Sequence, residues 1–200
     1  MSRAFTPDPH SHARPNEVAV RHVSLDLDVD FGNRQLSGSA TLDVERRAPD
    51  AAQLRLDTWR LDISGVTDED GTALTFTLGA HDPVLGSALT VDLGDADRIV
   101  VHYSTSPEAK ALQWLEPAQT ASGKPFLFTQ SQPILARTWI PCQDSPGVRV
   151  TYDATIKVPS DLIALMSAEN PTEQTDGTYS FAMPQPVPSY LIALAVGTSS

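Results

Sequence analysis

Two glutamines, Gln130 and Gln132, are the side chains in this sequence best suited to holding a polar ligand. An amide has two N–H donors and an acceptor oxygen, so a pair can take an ammonium group and a carbonyl together. It does not titrate, so its work is positioning rather than proton transfer. The same pair also has a structural reading, in which the amides satisfy backbone groups where Pro133 interrupts a strand. Arg137 and Asp144 follow, seven positions apart. There a bidentate pair would clamp the chain, with Pro141 and Pro146 fixing its direction; the role is structural rather than catalytic. Cys142 is the one cysteine; with no histidine near it in sequence, it reads as a small apolar residue rather than a nucleophile.

The elements that must position these residues read as strands. Phe126, Phe128, Gln130 and Gln132 share one parity and project from one face of a pleat until Pro133 ends regular pairing. Downstream, Val148, Val150, Tyr152, Ala154, Ile156 and Val158 alternate cleanly up to Pro159. Upstream, Val23, Leu25, Leu27 and Val29 alternate with polar residues. After the Gly32-Asn33 turn the pattern resumes at Leu36, Ala40, Leu42 and Val44, predicting a long hairpin over residues 22–45. Asp26, Asp28 and Asp30 form an acidic stripe on its solvent face. Shorter apolar pairs recur at turn-separated intervals through Tyr103. Tyr190 to Val196 is apolar on both faces, which predicts a central strand. No stretch holds a helical stripe over three turns. The expectation is an all-β chain of eleven or twelve strands, one large, mainly antiparallel sheet with smaller sheets packed on it. Residues 1–16, with Pro7, Pro9 and Pro15, read as a flexible N-terminal arm, and residues 17–200 as a single β domain.

Composition narrows the function. Hydrophobic residues make up 40% and charged residues 20%, within the range of folded globular chains. The net charge of −11 argues against nucleic acid and anionic membranes as partners. No window reaches the ~18 apolar residues of a membrane span. A lone cysteine implies no disulfide framework, and with no apolar leader the expected location is cytoplasmic. The histidines, His10, His12, His22, His81 and His102, are scattered, and no pair has the spacing of a zinc helix, so no cofactor is expected in this segment. Asp68-Glu69-Asp70-Gly71 lacks the closing glutamate of a calcium loop and reads as a solvated turn.

The run Gln130-x-Gln132-x-x-x-x-Arg137-x-x-x-Pro141-Cys142-Gln143-Asp144-x-Pro146 resembles the N-terminal domain of leukotriene A-4 hydrolase-like zinc aminopeptidases, within the wider aminopeptidase N and B superfamily. Ala111-Leu-Gln-Trp-Leu115, Leu165-Met-Ser-Ala168 and Tyr190-Leu-Ile-Ala-Leu194 resemble the same family in the same order. The resemblance implies a saddle-like β domain that covers a separate catalytic domain of the same polypeptide. It implies that zinc and the H-E-x-x-H helix lie in that missing domain, and that Gln130 and Gln132 reach into the shared cleft to bind the amino end of a peptide substrate. The implied activity is removal of N-terminal residues, with this segment inactive alone. Two other classes fit the residues: a free-standing β-sandwich module that binds peptide or carbohydrate, and a purely structural domain.

Overall fold

The computed structural model describes residues 4–171 and 176–198. Its largest sheet has six strands in the order β12 (Thr178–Pro188), β10 (Arg149–Lys157), β1 (Val18–Asp30), β2 (Gln35–Arg46), β7 (Arg98–Ser104), β4 (Asp62–Asp68). A four-stranded sheet runs β11 (Ile163–Met166), β13 (Leu194–Gly197), β9 (Phe126–Thr129), β8 (Leu112–Leu115). A third sheet holds β3 (Gln53–Thr58), β6 (Ser87–Asp92) and β5 (Phe76–Leu78). The described residues thus carry thirteen strands where eleven or twelve were expected. Four-residue β8 is too short to show alternation, and its pairing with β9 makes it a strand.

The hairpin forms where period-two alternation predicts it. Within β2 its backbone runs so close to β1 that a Cβ on Gly38, at φ +147°, would lie 2.0 Å from the Asp26 carbonyl oxygen. Strand β1 pairs antiparallel with β2 on one side and parallel with β10 on the other, so the large sheet is mixed. Its inner face buries Leu25, Leu27, Leu42, Ile99, Val101, Ala154 and Ile156. Its outer face is polar: His22, Ser24, Asp26 and Asp28 stand in register with Thr41, Ser39 and Ser37 of β2 and with Asp153, Thr155 and Lys157 of β10. Charges on that face are paired, Lys157 with Asp26 at 2.9 Å and Arg98 with Asp43 at 2.5 Å.

The four-stranded sheet is built differently. One face buries Leu127, Ala164, Met166, Leu194 and Val196 in the core. The other face is apolar as well. Cross-strand register lines up Leu165, Ala195 and Phe128 in one row, and Ile163 and Gly197 in the next. Leu115 pairs with Phe126 beside them. A Cβ on Gly197 would meet the Phe126 ring at 2.4 Å, so the ring lies over the glycine. Leu165 and Phe128 are 49% and 38% exposed, so this face is open.

One expectation needs correcting. Tyr190 to Val196 is not one strand: Ser189–Leu191 is a 3-10 turn and only Leu194–Gly197 pairs, inside the four-stranded sheet. An apolar run bounded by a turn does not reveal where pairing begins. Of the N-terminal segment, residues 4–16 are described, and they make hydrogen bonds among themselves and to the rest of the chain. Asn16 closes it on Phe5 with bonds of 2.8 Å in both directions, and Ser145 Oγ donates to Asp8 at 2.6 Å.

Candidate functional site

The glutamine stretch begins in β9, whose pairing ends at Thr129, earlier than the alternation suggested. The backbone N–H of Gln130 still bonds to Ala111 O at 2.8 Å, and a cis Gln132–Pro133 peptide turns the chain. Both glutamines are exposed. The Gln130 Oε1 accepts the Gln132 N–H at 3.3 Å, and its own NH2 makes no hydrogen bond among the described residues. The Gln132 amide has no side-chain hydrogen bond among the described residues. Neither amide is satisfying a buried backbone group. Gln130, Gln132, Pro133, Pro146 and Tyr190 line one open concavity beside the apolar sheet face.

Beneath it the chain turns around a buried charge cluster. Arg137 sits in the 3-10 turn Ala136–Thr138 and is fully enclosed. Its Nε donates to Asp144 Oδ2 at 3.0 Å and its Nη2 to the Asp144 carbonyl at 3.1 Å. Nη1 donates to Leu85 O and Nη2 also to His10 O, each at 2.8 Å. The expected fork on a carboxylate is therefore not what forms. One carboxylate oxygen and three backbone carbonyls share the guanidinium, because they enclose it from several loops at once. Asp144 Oδ1 accepts Ser189 Oγ–H at 2.6 Å. Burial pushes the Asp144 carboxyl above its ordinary pKa, against the pull of Ser189 and Arg137.

A second buried acid, Asp57, completes the cluster. It lies 3.8 Å from Arg137 Nη1, takes Ser11 Oγ–H at 2.5 Å and the His12 N–H at 2.6 Å, and accepts the Asp144 N–H at 2.9 Å. Sequence reasoning missed it, because Asp57 follows Leu54 and Leu56 in an ordinary half-buried strand pattern. Gln143 was missed too. Its amide accepts from Val20 N–H and donates to Val18 O, each at 2.9 Å, where β1 bulges between Val20 and His22. Prolines at 141 and 146 flank this turn, the first buried and the second at the concavity. Cys142 is 6% exposed, and burial drives its thiol well above the ordinary value, so it stays protonated.

Among the described residues no group of three or more His, Cys, Asp or Glu is placed to hold a metal ion. The concavity offers neutral amides that accept and donate and an aromatic ring, beside an apolar face.

Known proteins resemble this chain over most of its length. Over 204 residues the chain is 41% identical to leukotriene A-4 hydrolase of Xenopus laevis, covering 95% of this chain and 33% of that protein. It is 37% identical to leucine aminopeptidase 2 of Kluyveromyces lactis over 89% of this chain and 27% of that protein. The chain thus spans about a third of the length of these relatives. Yeast leukotriene A4 hydrolase in complex with bestatin superposes with a TM-score of 0.91 at 33% identity, over 100% of this chain and 32% of that one. An M1 zinc metallopeptidase of Deinococcus radiodurans matches with a TM-score of 0.73 at 25% identity, over 92% of this chain and 43% of that one. The peptidase M1 N-terminal domain model matches residues 19–191, and the chain belongs to that family.

Proposed function

We propose that this domain is the substrate-recognition and interdomain-packing part of a cytoplasmic zinc aminopeptidase that removes N-terminal residues from peptides. The observation that carries this reading is the pair of exposed amides, Gln130 and Gln132, at the edge of an uncovered apolar sheet face. The catalytic domain of the same polypeptide would cover that face and bring its zinc to the amides. Gln132 would accept from the substrate ammonium, and the NH2 of Gln130 would donate to the first carbonyl. Both contacts orient the scissile bond and neither moves a proton. Zinc would supply the activated water and the polarisation of the carbonyl. Among the described residues no group of three or more His, Cys, Asp or Glu is placed to hold a metal ion, so that ion would be held by residues of the catalytic domain.

The test is Gln132→Ala in the full-length enzyme. Reduced peptide turnover with unchanged stability supports the role, and full activity with a lowered melting temperature would make the amide structural. The other two readings, a free-standing binding module and a structural domain, are disfavoured by the same feature. A free module has no reason to leave an apolar sheet face bare when its largest sheet is solvated so thoroughly.

A further inference from the structure

We infer that Tyr190 selects the side chain of the substrate's first residue, favouring bulky apolar groups. This rests on the reading of Gln130 and Gln132 as the site for the peptide's amino end. The side chain of that first residue hangs from the carbon between the ammonium and the carbonyl. Whatever wall adjoins the two amides therefore faces the side chain. In this structure that wall is Tyr190, with the pyrrolidine rings of Pro133 and Pro146. Its surface is aromatic and aliphatic, and no charged residue lines the concavity.

The turn that carries the ring is held firmly. The Oγ of Ser189 is tied to Asp144 Oδ1 at 2.6 Å, inside the charge cluster. On the other side Leu191 O accepts Ser167 Oγ–H at 2.6 Å, and Ile192 N–H returns to Ser189 O at 3.0 Å. The 3-10 turn carrying Tyr190 is thus pinned at both ends, with the ring half-buried between them. The hydroxyl makes no hydrogen bond among the described residues, so the fold itself makes no use of it. A preorganised aromatic wall can discriminate, because no ordering has to accompany binding.

The experiment measures kcat/KM of the full-length enzyme on alanyl, leucyl and phenylalanyl anilides, for wild type, Tyr190→Ala, Tyr190→Phe and Gln132→Ala. Tyr190→Ala should lower the leucyl-to-alanyl and phenylalanyl-to-alanyl ratios roughly tenfold, as loss of apolar contact does in other pockets. Tyr190→Phe should keep both ratios. Gln132→Ala should depress all three substrates by a similar factor. If Tyr190→Ala leaves the ratios unchanged while Gln132→Ala depresses every substrate, the selectivity role is wrong and the amino-end site stands. If Gln132→Ala has no effect on any substrate, the amino-end site itself is wrong. Should the alanine variant not fold, Tyr190→Leu replaces it, with a smaller change expected in the same direction.

Discussion

Among the described residues Arg137 holds its charge inside the protein with Asp57 and Asp144 as the acids against it, and its other partners are backbone carbonyls. Removing the guanidinium would strand two buried carboxylates, a change that commonly costs about 3–5 kcal/mol. Arg137→Ala should therefore move the urea midpoint of the isolated chain sharply downward, while Gln132→Ala leaves it in place. Equal midpoints would show that the cluster is not what holds the loops. Gln132 belongs to the other ledger. Losing one charge-assisted contact to a substrate ammonium should cost about 1.5–3 kcal/mol, or roughly ten- to a hundredfold in kcat/KM. At this scale the sequence was legible only where residue type limits the options. Arg137 and Asp144 could be paired on the strength of flanking prolines. The isolation of the Gln132 amide could not be foreseen, because exposure depends on strands that arrive from elsewhere. Asp57 was hidden because its partners are Ser11, His12 and Asp144, which no local pattern connects to it.

The elements show which parts of the chain depend on one another. The loop Asp82–Gly86 delivers Leu85 O to Arg137, and Gly86 closes it at φ +76° with room for no side chain: a Cβ would sit 2.0 Å from Thr58 O. Gly86→Ala should destabilise by at least about 1–2 kcal/mol from the left-handed backbone alone, read as a lowered melting temperature. The N-terminal segment gives a pH prediction. Burial pushes the Asp8 carboxyl up, but Ser145 and the His10 N–H and imidazole outweigh it, and its pKa is lowered. A lowered pKa contributes stability above the ordinary value, and that stability is lost as pH falls through the lowered one. Below about pH 4 residues 4–16 should become more open to proteolysis than the sheets. A cleavage rate independent of pH would mean that the Asp8–Ser145 bond does not secure the segment. Asp144 has the opposite sign, so its contribution is full in acid and shrinks as pH rises through its raised value. Strand existence was readable from alternation almost throughout. The turn at Ser189–Leu191 was not, since Pro188 and Ser189 mark where it begins but nothing from Tyr190 to Val196 marks where it ends and pairing starts.

The molecule as a whole has two exterior faces of opposite character, one striped with serine, threonine and aspartate, the other with leucine, isoleucine and phenylalanine. The isolated chain should therefore bind an apolar dye, and Leu165→Glu should reduce that binding while leaving the melting temperature nearly unchanged. Dye binding that persists in the variant would place the apolar exposure elsewhere. That a large sheet would carry smaller ones followed from strand number, but which strands share which sheet did not, because register is decided over long separations. The pairing of β1 with β10 joins His22 to Thr151 and Asp28 to Lys157, and it bears on synthesis. When the β1–β2 hairpin leaves the ribosome, more than a hundred residues must follow before the strand that completes its other edge exists. Until then β1 presents an unpaired row of N–H and C=O groups beside an uncovered apolar face, the state most open to wrong partners. A chain truncated before Arg149 should aggregate where the 200-residue chain does not, and the ordering of the large sheet awaits the synthesis of β10.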